Sequence, residues 1–394
     1  MKEIKLKWLV TGALTSSIGM SFIWPLTSVY LHNHLHVSLT IVGIVLLFNS
    51  LASVLGSYIG GHMYDHGNPY KLLVGGVTTT LVTLLLLIPF HGWPIFGLLL
   101  FFNGLTSGWN ITMVNAIGSS IRSQDTRFVF NMLYFAQNLG VVLGTSLVGF
   151  VYNFSVTLLF VIASGLYLIF LILVITKYKP AAVKPKKALI RNRKDQKPDK
   201  LPRANILILN LFFISLLLIW VMYQQWVSNL SVYMTGQGIP LSLYSVLWTL
   251  NAGLIVVIQI ITNWIARYYE NLILQILFGI LVVASSFVVL IFAKSYYMFV
   301  ISMVVLTIGE ATAFPTIPAL VNTLTPVSVK GKYQGAVNAW ASAGRAFGPL
   351  LGGLIIDAQS YVSLFIIATI TIFLVLITLA TTWNLTKSKL EFYR

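Results

Sequence analysis

Cysteine is absent from the 394 residues. That excludes disulfides and thiolate metal sites, and leaves redox chemistry silent about compartment. Charge is almost as scarce: 9% of the chain, against about 25% in an average soluble domain. Acids number only nine. The sequence has no Gly-Lys-Ser/Thr phosphate loop, no His-Glu-x-x-His and no pair of acids inside one hydrophobic run, so the usual equipment for nucleotide or metal-assisted hydrolysis is missing. No cofactor is expected. His32, His34 and His36 alternate, but no carboxylate or cysteine stands near them to complete a metal site, and a solvated loop is the expected setting.

What is abundant is apolar surface, with hydrophobic residues making up 57% of the chain. A water-soluble fold of this length cannot hide that much, so a bilayer must be the solvent. Runs of about twenty apolar residues match the length a helix needs to cross about 30 Å of hydrocarbon. Twelve are expected, at about 8–31, 38–61, 71–90, 94–118, 128–150, 153–176, 205–230, 241–266, 271–293, 295–323, 332–356 and 359–383. The first is too long for a signal-peptide core and is followed at once by a second, so it reads as a span.

The net charge of +16 is distributed as the positive-inside rule requires. If both ends are cytoplasmic, every Lys and Arg except Lys294 and Arg345 falls in a cytoplasmic segment. A nucleic-acid-binding face would instead gather its basic residues on one folded surface, and none is expected. Residues 177–204 form the one break in composition. This stretch is basic, holds Pro180, Pro185, Pro198 and Pro202, and cannot bury a core. It reads as a cytoplasmic linker resting on anionic headgroups, between an N-terminal bundle at 1–176 and a C-terminal bundle at 205–394.

The halves repeat. Gly140, Gly144 and Gly149 in the fifth span have the spacing of Gly344, Gly348 and Gly353 in the eleventh, 204 residues later. Gly108-Trp109-Asn110 has a rough counterpart in Gly309-Glu310. Such glycine faces let helices approach closely where lipid is the solvent. Two parallel six-helix repeats are the frame of one large transporter class.

On these residues the chain resembles the major facilitator superfamily, and within it the drug:proton antiporter branch. The stretch from Gly60 to Lys71 is similar to that family's loop between its second and third helices. The resemblance gives Gly61, Asp65, Gly67 and Lys71 the role of a conformational lock, although Pro69 interrupts the pattern. Tyr244 to Asn251 and Gly344-Arg345-Ala346-Phe347-Gly348-Pro349 through Gly353 are similar to the branch patterns in its eighth and eleventh helices. The fifth span departs by placing Thr145 where a proline is usual. Phe135-Ala136-Gln137-Asn138-Leu139 and Thr307-Ile308-Gly309-Glu310, with Phe314-Pro315 after, resemble lactococcal-type multidrug transporters; the acid that group carries just before the aromatic pair is Leu133 here. The resemblance implies a helical fold of twelve spans in two pseudo-symmetric bundles, with alternating access driven by an ion gradient.

Ionisable groups in a bilayer cost roughly 2.5–3.5 kcal/mol on insertion scales, so each requires a reason. Glu310 is the one acid expected well inside hydrocarbon. A carboxyl there can load and release a proton as its hydration changes; contact with a cationic substrate and a static pairing with Arg345 are the other roles open to it. Arg345 is the one basic residue expected in mid-span and is grouped with Glu310 as a proton-coupling residue; snorkelling, holding its helix in register and touching substrate are the other roles open to it. Uncharged polar and aromatic residues complete the expected cavity: Trp24, Asn110, Asn115, Gln137, Asn138, Tyr223, Gln224, Gln225, Trp226 and Asn251. Such a lining suits apolar or amphipathic solutes.

The function expected from this reading is proton-coupled efflux of amphipathic or hydrophobic compounds such as drugs, by a monomer in the cytoplasmic membrane with both termini inside. Its partners would be a small-molecule substrate, protons and membrane lipids. Export or flipping of an amphipathic lipid or metabolite is the alternative on the same frame. A receptor or scaffold would need a sizeable soluble domain, and a membrane enzyme would need clustered acids or histidines at one depth.

Overall fold

The computed structural model describes residues 4–121, 123–124, 126–152, 154–179, 201–266, 271–326 and 330–393. Among them all regular structure is helical. The chain runs α1 (Leu6–Ser21), α2 (Ile23–Val29), a π-helical turn at Tyr30–His34, α3 (Leu39–His66), α4 (Pro69–Leu87), α5 (Ile95–Ser119), α6 (Thr126–Tyr152) and α7 (Val156–Lys177). It continues as α8 (Arg203–Ser228), α9 (Leu230–Gly236), α10 (Leu241–Ala266), α11 (Leu272–Ile291), α12 (Tyr296–Ala313), α13 (Thr316–Thr323), α14 (Lys330–Ala358) and α15 (Tyr361–Thr386). Ten of these columns, counted among the described residues, are long and apolar enough to cross a membrane. With α5 and α14, whose faces carry glycine and polar residues, the described helices make twelve columns.

The outward faces show why lipid is the solvent. On α3, Leu51, Val54, Leu55 and Tyr58 are exposed at the i, i+3, i+4, i+7 spacing of a single helix face. In water this face would point inward. Three columns are broken, and proline accounts for two of the breaks. Pro315 lacks an N–H and would clash with the preceding turn, so α12 stops at Ala313 and α13 starts at Thr316. Pro25 falls in the first turn of α2, beyond the break at Phe22. The first column also runs further than the expected end at 31: His32 and His34 lie in the π-helical turn rather than in a loop, and His32 Nδ1 is 2.9 Å from the Val37 carbonyl oxygen.

The turn between α3 and α4 is tighter than its sequence suggests. Pro69 does not interrupt it; it occupies the first helical position of α4, where a missing N–H costs nothing. Asn68 caps that helix, its Oδ1 accepting from Tyr70 N at 3.0 Å and Lys71 N at 3.3 Å. Asp65 therefore sits in the last turn of α3 and Lys71 in the first turn of α4, with only Gly67 and Asn68 between the helices. The side chains of Asp65 and His66 lie outside the described residues, as does the basic stretch from 180 to 200.

The chain divides into two compact units, Met1–Ile190 with Met234–Val246, and Arg191–Tyr233 with Leu247–Arg394. In the first, α6 packs on α1. A methyl group added at Gly140 would lie 2.6 Å from Ser17 Cβ and 2.8 Å from the Leu14 carbonyl oxygen, and one at Gly144 would lie 2.7 Å from Ser21 Cβ and from the Ile18 carbonyl oxygen. In the second, α14 packs on α8 in the same way. Gly344 meets Trp220 Cβ and the Leu217 carbonyl oxygen, both at 2.6 Å, and Gly348 meets Gln224 Cβ at 2.6 Å and the Val221 carbonyl oxygen at 3.0 Å.

The repeat thus holds at the level of atoms. An offset of 204 residues carries α6 onto α14, and 203 carries Leu14, Ser17, Ile18 and Ser21 onto Leu217, Trp220, Val221 and Gln224. The third glycines do not share it. Gly149 lies against Leu241 and Ser242, and its N–H donates to Ser245 Oγ at 3.1 Å. In α14 it is Gly352, one residue before the buried Gly353, that makes the close approach, against Gln225 and Asn229. Pro349 is accommodated inside α14.

Candidate functional site

Polar groups converge in the second unit. Glu310, in the last turn of α12, is 5% exposed. Its Oε1 accepts a short hydrogen bond from Asn251 Nδ2 of α10, and the same amide donates to Thr307 Oγ1 at 2.9 Å, one turn earlier on α12. The Tyr223 side chain of α8 also hydrogen-bonds to Glu310. Two helices, α8 and α10, therefore bring neutral groups to one carboxyl on α12, and among the described residues no cation pairs with it. The backbone brings the acid there by close packing: Gly279 of α11 and Gly309 lie so near that a methyl at Gly309 would be 2.6 Å from the Gly279 carbonyl oxygen.

Beside this acid stands an aromatic group. The Tyr223 ring is 5.1 Å from Trp220 and 5.5 Å from Phe314, and those two rings are 4.9 Å apart. The Arg345 guanidinium lies over Trp220, 4.6 Å from the ring centre, a cation–π contact worth about 0.5–2 kcal/mol depending on desolvation. It also donates to Ser342 Oγ at 2.8 Å. Arg345 and Glu310 do not touch; the aromatic group stands between their respective contacts. Neither Trp220 nor Ser342 stands out in the sequence, and the signal that could have found Trp220 is its place opposite Gly344 in the repeat.

Other expected cavity residues are distributed by what they bond to. Gln225, buried in α8, donates to the carbonyl oxygens of Val221 and Gly348, both at 2.8 Å, and accepts from Asn229 Nδ2 at 2.6 Å. It ties the α8–α14 seam together. Trp226 is 1% exposed and packs edge-on to Phe287 at 6.5 Å, in the packed interior. Gln224 is half-buried on the seam.

In the first unit Asn110 is 4% exposed and donates to Thr80 Oγ1 of α4 at 2.9 Å. Its packing against Gly76 matches that of Ala313 against Gly279, so Asn110 corresponds to Ala313. The rough match of Gly108-Trp109-Asn110 to Gly309-Glu310 is two residues out of register, because the offset of 203 carries Gly108 onto Ala311 and Ser107 onto Glu310. Asn115 and Gln137 are half-buried and Asn138 is exposed. Trp24 lies in α2, with its side chain outside the described residues. A methyl added at Gly61 would make only ordinary contact, with Thr112 Cγ2 at 3.7 Å, whereas one at Gly67 would lie 2.7 Å from Leu72 Cδ1; Lys71 is exposed. No group of three or more potential metal ligands occurs among the described residues.

Twelve helical columns, a doubled glycine seam and one acid carried into the interior define a multi-pass membrane protein with a polar centre. The Major Facilitator Superfamily model matches residues 9–288 and 272–390, and the chain belongs to that family of transporters, not enzymes. It is 38% identical to the uncharacterized MFS-type transporter YttB of Bacillus subtilis (strain 168), over 96% of this chain and 94% of that one. To the uncharacterized MFS-type transporter YqjV of the same organism it is 24% identical, over 89% and 85% respectively. Among solved structures it shares its fold with the POT family transporter PepTSo, at a TM-score of 0.77 and 14% identity over 97% and 98% of the two chains. It shares it equally with the nucleoside transporter NupG, at a TM-score of 0.77 and 12% identity over 96% and 98%.

Proposed function

We propose that the chain is a proton-coupled exporter of amphipathic or hydrophobic compounds, of the drug:proton antiporter kind. It works by alternating access in the cytoplasmic membrane as a monomer with both termini inside. The observation that carries the reading is Glu310, a buried carboxyl met, among the described residues, by neutral donors from Tyr223 and Asn251. An unpaired carboxylate in a low-dielectric interior costs several kcal/mol, and a proton is the smallest counter-charge that can follow it there. A group that sheds the proton when water reaches it and regains it when water leaves couples the conformational change to the gradient. The uncharged donors tolerate both forms: the Tyr223 hydroxyl can donate or accept, and Asn251 offers both an amide and a carbonyl. Gly61, Asp65, Gly67 and Lys71 take the part of the loop that locks one state. The rings of Trp220, Tyr223 and Phe314 supply area for solutes that bind with few directional bonds.

The test is accumulation of a panel of fluorescent amphipathic dyes in cells, with and without an uncoupler. Expression of the chain should exclude at least one dye in an uncoupler-sensitive way, and Glu310→Gln should abolish that exclusion while leaving folded protein in the membrane. Exclusion that persists in Glu310→Gln overturns the coupling role. A second reading, export of an amphipathic lipid or metabolite, draws its support from the exposed cation at Arg345; unchanged accumulation of every dye moves the reading there.

A further inference from the structure

We infer that Arg345 and Trp220 form a recognition site for the anionic group of an amphipathic organic anion, whose apolar body lies along the step of Trp220, Phe314 and Tyr223. The inference rests on the transporter reading but not on proton coupling at Glu310. Arg345 is the exposed end of a built arrangement. Its guanidinium lies 4.6 Å from the centre of the Trp220 ring, and Ser342 Oγ, one turn back on the same helix, holds one of its N–H groups at 2.8 Å. A guanidinium has five N–H groups, and those not engaged by the indole or by Ser342 can form an edge that presents paired N–H groups matching a carboxylate, sulfonate or phosphate. Ser342 takes one N–H of five.

No acid of the second unit's described residues takes the others. Glu310 is engaged by Asn251 and Tyr223, and Glu391 accepts from the Tyr393 hydroxyl at 2.9 Å. Asp357 is twelve residues along α14, about 18 Å away at 1.5 Å per residue.

The helix shows that this edge does not point at hydrocarbon. At about 100° per residue, Asn338, Ser342 and Arg345 make one polar stripe on α14. Trp340, Phe347, Leu351 and Leu354 are all exposed and make an apolar stripe about 180° around from it. The apolar stripe is the lipid face. A cation on the opposite face, fixed by two contacts and given no acid, is a functional-site feature by default, and the ligand that completes it carries negative charge. The adjoining rings, half-buried at Trp220 and Phe314, require that ligand to carry an apolar, preferably planar, part as well.

The test measures binding to purified full-length protein in nanodiscs of zwitterionic lipid, using three probes of one shape: 1-naphthalenesulfonate, 1-naphthylmethylammonium and 1-naphthalenemethanol. The anion should bind about tenfold or more tightly than the other two, the usual strength of a charge-assisted pair. Arg345→Gln should remove that preference, Arg345→Lys should keep part of it, and Trp220→Leu should weaken the anion and the neutral alcohol together. Lys387→Gln, which removes an exposed cation outside the site, should leave anion affinity unchanged. A melting temperature for each variant, and the partial retention in Arg345→Lys, separate lost recognition from lost fold. Equal binding of the three probes, an unaffected Arg345→Gln, or a loss in Lys387→Gln as large as in Arg345→Gln would overturn the inference. Discs containing anionic phosphatidylglycerol distinguish the source of the anion: competition with the sulfonate assigns the site to a lipid headgroup, and its absence assigns it to a free amphipathic anion.

Discussion

The α1–α6 seam of the first unit and the α8–α14 seam of the second have the same skeleton and different contents. Gly140 and Gly144 rest on Ser17 and Ser21; Gly344 and Gly348 rest on Trp220 and Gln224. One residue beyond the first glycine, Val141 stands in the first unit and Arg345 in the second. Phe22 of the first corresponds to Gln225 of the second, and Ser107 to Glu310. Backbone approach is thus a property of the repeat, while every charge and most aromatic rings of the candidate site belong to one copy. Close packing tolerates no side chain at the glycines, whatever the function, because association in lipid depends on contact rather than on expulsion of water. Positions beside the seam are free to diverge, and in the second unit they have become polar.

The sharpest way to break the shared part is to fill it. Gly344→Leu and Gly140→Leu place a branched side chain where even one methyl has its nearest contact at 2.6 Å and its three nearest all to backbone or Cβ atoms. Overpacking of this kind costs about 1–3 kcal/mol or more, and both variants should lose most of their folded protein in the membrane, measured by detergent-extracted monodisperse yield. Gly61→Leu, with only a 3.7 Å contact to Thr112, should fold. If one seam variant folds normally and the other does not, the seams are not equivalent.

A smaller effect should follow from giving the second unit the residue of the first. Trp220→Ser copies Ser17 onto the position under Gly344. It keeps the glycine approach and removes the one ring that lies beneath Arg345 and belongs to the aromatic group. Transport of an accepted dye should fall about tenfold, in line with loss of a stacked aromatic and a cation–π contact, with the melting temperature little changed. Ser17→Trp in the first unit should gain nothing in transport. Equal transport by Trp220→Ser and the parent would show that the second seam's rings serve packing alone.

The frame was legible because it depends on composition and period. Twelve apolar runs and two spaced glycine sets are patterns that survive any rearrangement of side chains, and the positions of Gly140, Gly144, Gly344 and Gly348 on helix–helix seams follow from them. Glu310 was legible for a different reason, since a lone acid in hydrocarbon stands out by cost. Trp220 and Ser342 were not, because an aromatic or a serine in a membrane helix is ordinary until its neighbour is known. Adjacent Gly and polar residues make Gly108-Trp109-Asn110 resemble Gly309-Glu310, but the packing of Gly76 and Gly279 places that match two residues out of register. The turn at Asn68–Pro69 was hidden by its own chemistry: proline reads as an interruption in a loop pattern, yet serves as the first residue of a capped helix.

The smallest effect concerns the ends of the two units, where the chain after the last helix folds back on the first. Beyond α7, the Tyr178 hydroxyl donates to the carbonyl oxygens of Trp8 at 3.0 Å and Leu9 at 3.4 Å. Beyond α15, the tail is held by Asn205 of α8, fully buried, which donates to Leu324 O at 3.0 Å and Glu391 O at 2.7 Å and accepts from Glu391 N at 3.1 Å. One clasp is a single hydroxyl on an aromatic ring, and the other is an amide satisfying three backbone groups. Tyr178→Phe removes the donor and keeps the ring, so it should cost about 1 kcal/mol. Asn205→Leu strands the backbone groups of Leu324 and Glu391 and should cost more, about 1–3 kcal/mol. Thermal melting would rank the two. Limited proteolysis should release the C-terminal tail sooner in Asn205→Leu alone, because only there do the lost bonds hold Glu391 of that tail. If the two variants melt alike and the tail is cut no faster, the amide clasp adds nothing beyond the contact of Phe392 with Trp383, whose rings lie 6.4 Å apart.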